Sequence, residues 1–247
     1  MRIIILAAGQ GTRLKHLTHD RPKCMVKLNG KPIIEHQLDL FNKFNLKDLN
    51  VVTGYLNNKI NFANLTKFYN PKFDSTNMVS SLFCANELFN GEEDILISYG
   101  DIIYNQNVLK AVIDSNDPIN VVVDKNWRTY WELRMDNPLL DAETLKIDDR
   151  GFIKEIGKKP NNYSDIEGQY IGLVKIRKDV TVEVKNYHKK LDRNILYDGK
   201  DMNNMYMTTF LQLIADNLIP LTPVFINSGW IEIDEPKDLE FGSFLND

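Results

Sequence analysis

The sequence predicts an α/β protein with a doubly wound, mostly parallel β-sheet. Short, continuous apolar runs are typical of parallel strands that are buried on both faces, and segments with helical spacing separate these runs along the chain. The chain has 247 residues, and 43% of them are hydrophobic, which is enough for a substantial core. We expect residues 1–247 to form a single domain, because α/β folds of this size are often single units.

The first apolar run, residues 3–6, predicts a buried strand at the start of the chain. Further strands are predicted at residues 49–53, 67–69, 94–98 and 119–123, and helices at residues 32–44, 57–65, 78–88 and 107–113. Residues 127–176 combine alternating polarity with Gly and Pro, which predicts a β-rich elaboration of the sheet. The last predicted helices are at residues 179–191, 202–218 and 236–244.

The loop that follows the first strand has the composition of a phosphate-binding loop. This stretch consists of Leu6, Ala7, Ala8, Gly9, Gln10, Gly11, Thr12 and Arg13. Glycines let backbone N–H groups approach an anion without a Cβ atom in the way, and Arg13 adds a charge-assisted donor. A second cationic cluster, on a proline turn, ends at Lys23. Together these features predict a nucleoside triphosphate site.

Two better-known glycine loops do not match this stretch. The dinucleotide motif G-x-G-x-x-G would need a glycine at position 14, where Leu14 stands. The P-loop motif G-x-x-x-x-G-K-[ST] does not occur in the sequence. The predicted site therefore belongs to neither of these classes.

Charge and cysteine content narrow the class of protein. The formal net charge of −4 argues against a nucleic-acid partner, because domains that bind nucleic acids are usually basic. No apolar run approaches the roughly 20 residues of a membrane helix, and no signal peptide is evident, so we expect no membrane partner. The two cysteines, Cys24 and Cys84, fit a reducing compartment better than a disulfide framework. We therefore expect a cytoplasmic protein.

Two aspartates stand where predicted strands end. Asp101 follows the strand at residues 94–98, and the intervening Gly100 allows a sharp bend toward a ligand. Asp234 follows a short alternating strand and precedes Pro236. Two carboxylates with few other protein ligands suit Mg²⁺, which keeps several waters and binds phosphate oxygens directly. A turn or helix-capping role is the alternative for each aspartate.

With these motifs, the chain resembles the nucleotidyltransferase family, whose members activate a phosphorylated small molecule with an NTP and release pyrophosphate. The resemblance rests on residues 6–14, on Arg21-Pro22-Lys23 and on residues 26–35. It implies a Rossmann-like sheet of the GT-A type. It also implies a nucleotide-binding half at residues 1–125 and an acceptor-binding half at residues 126–247.

The resemblance also assigns catalytic roles. Arg13 and the glycine loop would hold the β- and γ-phosphates, Lys23 would reach the α-phosphate, and Asp101 with Asp234 would hold Mg²⁺. Because the acceptor phosphate is already ionised, with a second pKa near 6, the reaction needs no general base. Catalysis would then consist of positioning two polyanions and stabilising the charge that develops between them.

The same resemblance suggests which residues face the nucleotide base. In this family the helix start that carries Asn77, Ser80 and Ser81 lies near the base, together with the backbone of the glycine loop. Gly100, beside Asp101, completes the predicted nucleotide-binding set. Helix capping by Asn77 is the alternative. Sequence logic alone leaves cytosine and uracil open, but the similarity to phosphocholine cytidylyltransferases favours CTP.

Two acceptor classes remain open from the residues themselves. Trp131, Tyr170 and Trp230 could form aromatic walls around the quaternary ammonium of phosphocholine, although core packing is the alternative. As a strand, residues 127–134 would place Glu132 and Arg134 on one face. A glutamate for an ammonium and an arginine for a carboxylate would suit a phosphorylated amino acid. A solvated charged face is the alternative.

Resemblance favours one of these acceptors. The chain is similar to cytidylyltransferases of capsule phosphoramidate biosynthesis, whose acceptor is phosphorylated glutamine, and we prefer that acceptor here. Lys158, in a Gly-Lys-Lys-Pro stretch, is a further candidate for binding the acceptor. A sugar-1-phosphate nucleotidyltransferase and a non-catalytic nucleotide-binding regulatory domain are the alternatives. The first would use UTP, dTTP or CTP, and the second would bind a nucleotide without turnover.

Overall fold

The structure, a computed structural model that describes residues 1–246, is organised around one large β-sheet. In chain order the strands are Arg2–Ala7 (β1), Lys27–Leu28 (β2), Lys31–Pro32 (β3), Asp48–Thr53 (β4), Leu65–Tyr69 (β5), Ile95–Tyr99 (β6), Ile102–Tyr104 (β7), Ile119–Asp124 (β8), Leu145–Ile147 (β9), Ile153–Ile156 (β10), Gln169–Ile176 (β11), Thr222–Ile226 (β12) and Trp230–Glu232 (β13). The α-helices are Ile33–Lys43 (α1), Met78–Leu82 (α2), Gln106–Asp114 (α3), Trp127–Arg134 (α4), Lys178–Lys190 (α5) and Met207–Asn217 (α6).

The central sheet has seven strands in the order β12-β8-β11-β6-β1-β4-β5. Strand β1 pairs in parallel with β4 and β6, and β8 pairs in parallel with β12. Only β11, among the strands of this sheet, runs antiparallel to both of its neighbours, β6 and β8. The prediction of a doubly wound, mostly parallel sheet is confirmed.

Apolar side chains cover both faces of this sheet. Successive residues of β1 point to opposite faces, so that Ile3 and Ile5 join one core cluster while Ile4 and Leu6 join the other. Helices α1 and α3 pack into the first cluster, and α2 and α6 into the second. Burial on both faces explains why β1 appears in the sequence as a continuous apolar run rather than an alternating one.

One edge of the sheet collects the ends of several strands. Strands β1 and β6 end side by side, with Leu6 paired to Tyr99. Because β11 is antiparallel, its first residues, Gln169 and Tyr170, lie at the same edge. A small antiparallel ribbon of β7 and β13 lies nearby and pairs Glu232 with Ile102. This convergence places loops from distant parts of the sequence around one region.

The segment at residues 127–134 differs from its prediction. It forms helix α4, not a strand, because Trp127, Tyr130, Trp131 and Arg134 are the buried residues and their spacing of three and four follows one face of a helix. Glu132 and Arg134 therefore do not share a face. The two residues lie about 200° apart around the helix axis, at 100° per residue.

Several predicted helices are shorter or tighter than expected. The 3₁₀ segments are Thr12–Thr18, Lys23–Met25, Asn57–Lys59, Phe83–Leu88, Pro138–Leu140, Tyr163–Asp165, Met202–Asn204, Pro236–Glu240 and Gly242–Asn246. They replace the predicted helix at residues 57–65 and the closing helix at 236–244, and they divide the helices at 78–88 and 202–218. Within residues 1–246, no helix has both the length and the apolar character needed to cross a membrane.

Candidate active site

The glycine loop leaves β1 at the edge where the strand ends converge. A Cβ atom built on Gly9 would meet nothing within 4 Å, so the space beside this residue is open. Gly11 has a φ of +72°, and a Cβ atom there would lie 2.8 Å from the Cβ of Lys23. The second glycine is therefore needed because it lets the Lys23 side chain pass against the loop.

Lys23 lies between two carboxylates that are far apart in the sequence. Its Nζ is 2.6 Å from Oδ2 of Asp101 and 2.8 Å from Oδ1 of Asp234. Arg13 Nη1 lies 2.5 Å from the other oxygen of Asp234. Burial by itself would lower the pKa of the Lys23 ammonium, but the carboxylates of Asp101, Glu232 and Asp234 raise the pKa above its usual value. The ammonium is therefore charged at neutral pH.

Asp101 carries an oxygen whose hydrogen-bonding capacity is not used. Its Oδ1 is buried and has no hydrogen-bond partner among the described residues. The preceding Gly100 donates its N–H to the carbonyl of Leu6 at 2.9 Å, and a Cβ atom there would lie 2.7 Å from that carbonyl oxygen. The close backbone contact turns the chain so that Asp101 faces Lys23. A buried carboxylate oxygen without a hydrogen-bond partner destabilises the folded protein unless a ligand supplies that partner.

A cleft on one side of Lys23 contains most of the predicted nucleotide-binding residues. Its lining consists of Leu6, Ala7, Ala8, Gly9, Lys23, Cys24, Phe73, Thr76, Asn77, Met78, Ser81, Tyr99, Gly100 and Asp101. The side chain of Asn77 also caps α2, accepting from the N–H of Met78 at 2.8 Å. Gln10, Gly11 and Thr12 continue the loop outside this lining, and the hydroxyl of Ser80 donates to the carbonyl of Asn203 instead.

A second cleft lies on the other side of Lys23, between the start of β11, α4 and β13. Its lining consists of Arg13, Met78, Tyr99, Ile102, Trp131, Arg134, Asp141, Glu143, Gln169, Tyr170, Ile171, Gly172, Tyr206, Met207, Thr208, Trp230, Glu232 and Asp234. The predicted aromatic walls, Trp131, Tyr170 and Trp230, are all included. Met78 and Tyr99 line both clefts, and Lys23, which lines the first, contacts Asp234, which lines the second, so the two clefts adjoin beside the Lys23 ammonium.

Arg134 lines this second cleft, but its guanidinium is held by protein carboxylates. Its Nε donates to Oδ1 of Asp238 at 3.1 Å, and its Nη1 donates to Oε2 of Glu232 at 3.1 Å. Arg134 and Asp238 are 6% and 0% exposed, so this is a buried ion pair. Burial by itself would lower the pKa of Arg134, but the partner carboxylates raise it. The structure thus gives Arg134 a different use from binding an acceptor carboxylate.

Glu132 and Lys158 do not line either cleft. Glu132 is exposed and forms an ion pair with Arg128, with 2.6 Å between Oε1 and Nε, on the outer face of α4. Lys158 is exposed and pairs with Glu155 at 3.2 Å. Lys158 lines a neighbouring depression, which shares Asp141, Glu143 and Tyr206 with the second cleft.

Several residues of the second cleft have no role in the sequence analysis. Glu143 is half-buried, and burial raises the pKa of its carboxyl to about 7, while a hydrogen bond from Thr208 opposes that shift. Burial and the neighbouring carboxylate of Asp101 also raise the pKa of the Glu232 carboxyl. Glu232 could have been found, because it stands two residues before Asp234 on an alternating strand. Glu143 carries no local signal in the sequence.

The fold and the Lys23 site define a class of nucleotide-binding transferase, and comparison with known proteins agrees. A family model described as the MobA-like NTP transferase domain matches residues 3–147. The chain belongs to this nucleotidyltransferase family, which confirms the resemblance stated above. Within the described residues, no group of three or more His, Cys, Asp or Glu residues is placed to hold a metal ion.

Three known proteins are similar to this chain in sequence or in fold. The chain is 43% identical to the CTP:phosphoglutamine cytidylyltransferase of Campylobacter jejuni, over 97% of this chain and 98% of that protein. It is 31% identical to a choline-phosphate cytidylyltransferase of Haemophilus influenzae, over 60% of this chain and 62% of that protein. The solved structure of the CTP:phosphocholine cytidylyltransferase from Streptococcus pneumoniae has a TM-score of 0.72 and 20% identity, covering 97% of this chain and 96% of that one. This last likeness shows the fold alone.

Proposed function

We propose that this protein is a cytidylyltransferase that transfers CMP from CTP to a phosphorylated small molecule and releases pyrophosphate. We propose phosphorylated glutamine as the acceptor. The relative from Campylobacter jejuni supports both parts, because the similarity extends over nearly the whole chain. It includes the second half, which supplies most of the second cleft, hereafter the acceptor-side cleft.

One observation carries the proposal for the reaction. The charged Lys23 ammonium lies where the two clefts meet, within hydrogen-bonding distance of Asp101 and Asp234. A nucleotide in the first cleft and a phosphorylated acceptor in the second would bring two polyanions together at this cation. A buried cation at that junction reduces their repulsion and stabilises the negative charge that develops at the α-phosphate.

Asp101 and Asp234 fit a divalent cation such as Mg²⁺. The buried Oδ1 of Asp101 lacks a partner, and the second carboxylate lies on the far side of the same lysine ammonium. One or two carboxylates, with phosphate oxygens and water, are the ligands that Mg²⁺ usually takes in nucleotide sites. When bound, the ion would neutralise phosphate charge and orient the nucleotide. In the structure described here Lys23 and Arg13 satisfy three of the four carboxylate oxygens.

The protein residues would act by orientation and electrostatics. Arg13, 65% exposed on the loop, is free to turn from Asp234 toward the triphosphate, where it would hold the leaving pyrophosphate. Lys23 would stay at the α-phosphate. The acceptor phosphate, ionised at neutral pH, would attack in line without a protein base.

Pyrophosphate release tests the proposal. CTP, UTP, ATP, GTP and dTTP are each combined with glutamine phosphate, phosphocholine and sugar-1-phosphates, in the presence and absence of Mg²⁺. We expect release with CTP and glutamine phosphate, and only when Mg²⁺ is present. Release with UTP or dTTP and a sugar phosphate would make the protein a sugar nucleotidyltransferase instead. Nucleotide binding without release for any acceptor would indicate a regulatory domain.

A further inference from the structure

The acceptor-side cleft carries two further carboxylates, from Asp141 and Glu143. The carboxylate of Asp141 accepts a hydrogen bond from Nε1 of Trp131 at 2.9 Å. Among residues 1–246, no lysine or arginine forms an ion pair with Glu143, although the half-buried side chain has the neighbouring carboxylates of Asp141, Glu232 and Asp198. In the described part of the chain, the Glu143 carboxylate therefore lacks a paired cation.

The arginine of this cleft does not supply that charge. Both carboxylate oxygens of Asp238 and one of Glu232 accept hydrogen bonds from Arg134. These contacts hold the guanidinium against Asp238 and Glu232. A ligand with a cationic group would therefore complement Glu143.

Two lysines lie in the depression that adjoins Glu143. Lys158 and Lys159 line it together with Asp198, and Lys158 is paired with Glu155. Lys159 forms no ion pair with any residue in the described part of the chain. The depression and the cleft share Asp141, Glu143 and Tyr206. Within the described residues, a carboxylate and an ammonium that form no ion pair thus line the same depression, at its junction with the cleft.

The backbone fixes this juxtaposition. Thr144, next to Glu143, donates its N–H to the carbonyl of Lys158 at 2.7 Å, and Gly157 donates its N–H to the carbonyl of Thr144 at 3.0 Å. Gly157 has a φ of +86°, and a Cβ atom there would lie 2.4 Å from the Cβ of Thr208. The loop that carries the lysines is therefore held against Thr144, the neighbour of Glu143, and against Thr208 of α6.

We infer that this junction recognises the zwitterionic end of an amino-acid acceptor. The Glu143 carboxylate accepts hydrogen bonds from the α-ammonium, and the Lys159 ammonium donates to the α-carboxylate. The phosphate end of the acceptor extends along the cleft toward Lys23. This inference rests on the proposed function and replaces Glu132 and Arg134, the pair expected from sequence, with Glu143 and Lys159. A sugar phosphate offers neither charge, and phosphocholine offers only the positive one.

The test uses three acceptors with CTP and the full-length enzyme. They are glutamine phosphate, an analogue that lacks the α-carboxylate, and an analogue that lacks the α-ammonium. The variants are Glu143→Gln and Lys159→Met, with Glu183→Gln and Lys190→Met, on exposed positions of α5, as matched controls. KM values are measured for each acceptor and for CTP.

We expect Glu143→Gln to raise the KM of glutamine phosphate by about tenfold or more, the usual effect of losing a hydrogen bond to a charged group. The KM of the analogue without the ammonium and the KM of CTP should not change. Lys159→Met should likewise raise the KM of glutamine phosphate, and it should leave the KM of the analogue without the carboxylate unchanged. Because Lys159 is exposed, this variant tests the inference even if Glu143→Gln does not fold.

The measurements distinguish a wrong inference from a wrong acceptor and from a wrong function. If the variants match their controls, or if each variant affects all three acceptors equally, the inference is wrong while the proposed function stands. If the wild-type enzyme uses CTP with phosphocholine and not with glutamine phosphate, the proposed acceptor is wrong. If the wild-type enzyme releases no pyrophosphate from CTP with any acceptor, the proposed function itself is wrong.

Discussion

The carboxylate of Asp238 accepts a hydrogen bond from the backbone N–H of Asp234, with 2.8 Å between Oδ2 and N. The same oxygen accepts from the N–H of Glu235 at 2.7 Å, so that Asp238 closes the turn after β13. Arg134 holds Asp238 in this position from α4. The orientation of Asp234 toward Lys23 thus depends on the buried ion pair between Arg134 and Asp238.

Removing Arg134 from this pair should destabilise the protein. We expect Arg134→Met to lower the free energy of unfolding by about 3–5 kcal/mol, because the Asp238 carboxylate would remain buried without its cation. Chemical denaturation followed by circular dichroism measures this change.

The matched control for Arg134 lies on the same helix. Arg128 also pairs with a carboxylate, that of Glu132, but both side chains are about half exposed. Arg128→Met should change the unfolding free energy by less than about 1 kcal/mol. Equal losses for the two variants would contradict a special role for the buried pair.

Lys23 should be essential for turnover. We expect Lys23→Ala to lower kcat by about 100-fold or more, in line with the loss of one transition-state donor. The exposed Lys27, four residues along the chain, provides the control, and Lys27→Ala should retain turnover. Steady-state pyrophosphate release compares the two variants. Near wild-type kcat in Lys23→Ala would refute its role at the α-phosphate.

Gly9 and Gly100, which both line the first cleft, should respond differently to substitution by alanine. Gly100→Ala should destabilise the fold by about 1–3 kcal/mol, because its Cβ would press on the backbone of Leu6. In Gly9→Ala the added methyl group would enter open space, so the free energy of unfolding should be nearly unchanged. Its methyl group would instead occupy space proposed for the triphosphate and raise the KM of CTP. An unchanged KM would place the phosphates elsewhere.

Acceptor binding should depend on pH through Glu143. Burial raises the pKa of this carboxyl to about 7, so the group loses its proton and gains its charge as the pH rises from 6 to 8. Because only the charged form attracts an ammonium, the KM of glutamine phosphate should fall by about tenfold over this range. The acceptor phosphate, whose second pKa is near 6, also titrates. Glu143→Gln retains only that second effect, and an identical profile in the variant would exclude Glu143.

Local sequence patterns predicted the parts of the protein that depend on neighbouring residues. The apolar run of β1, the glycine loop and Lys23 lie within 25 residues, and the steric and hydrogen-bonding properties of those residues fix what they can form. The error at α4 arose from the same kind of pattern. Trp131 and Leu133 alternate with Glu132 and Arg134 as in a strand, but the large rings of Trp127, Tyr130 and Trp131 pack on one helical face.

The sequence by itself determined the fold class and the nucleotidyltransferase family. These follow from short motifs and from the periodicity of apolar residues, which are properties of adjacent positions. Only the tertiary structure decided which distant charges meet. Lys23 reaches Asp234 across 211 positions, Arg134 turns to Asp238, and Glu143 faces the acceptor-side cleft, because strand order and the antiparallel β11 bring these segments to one edge of the sheet. Ion pairing acts through space, and no spacing along the chain encodes it.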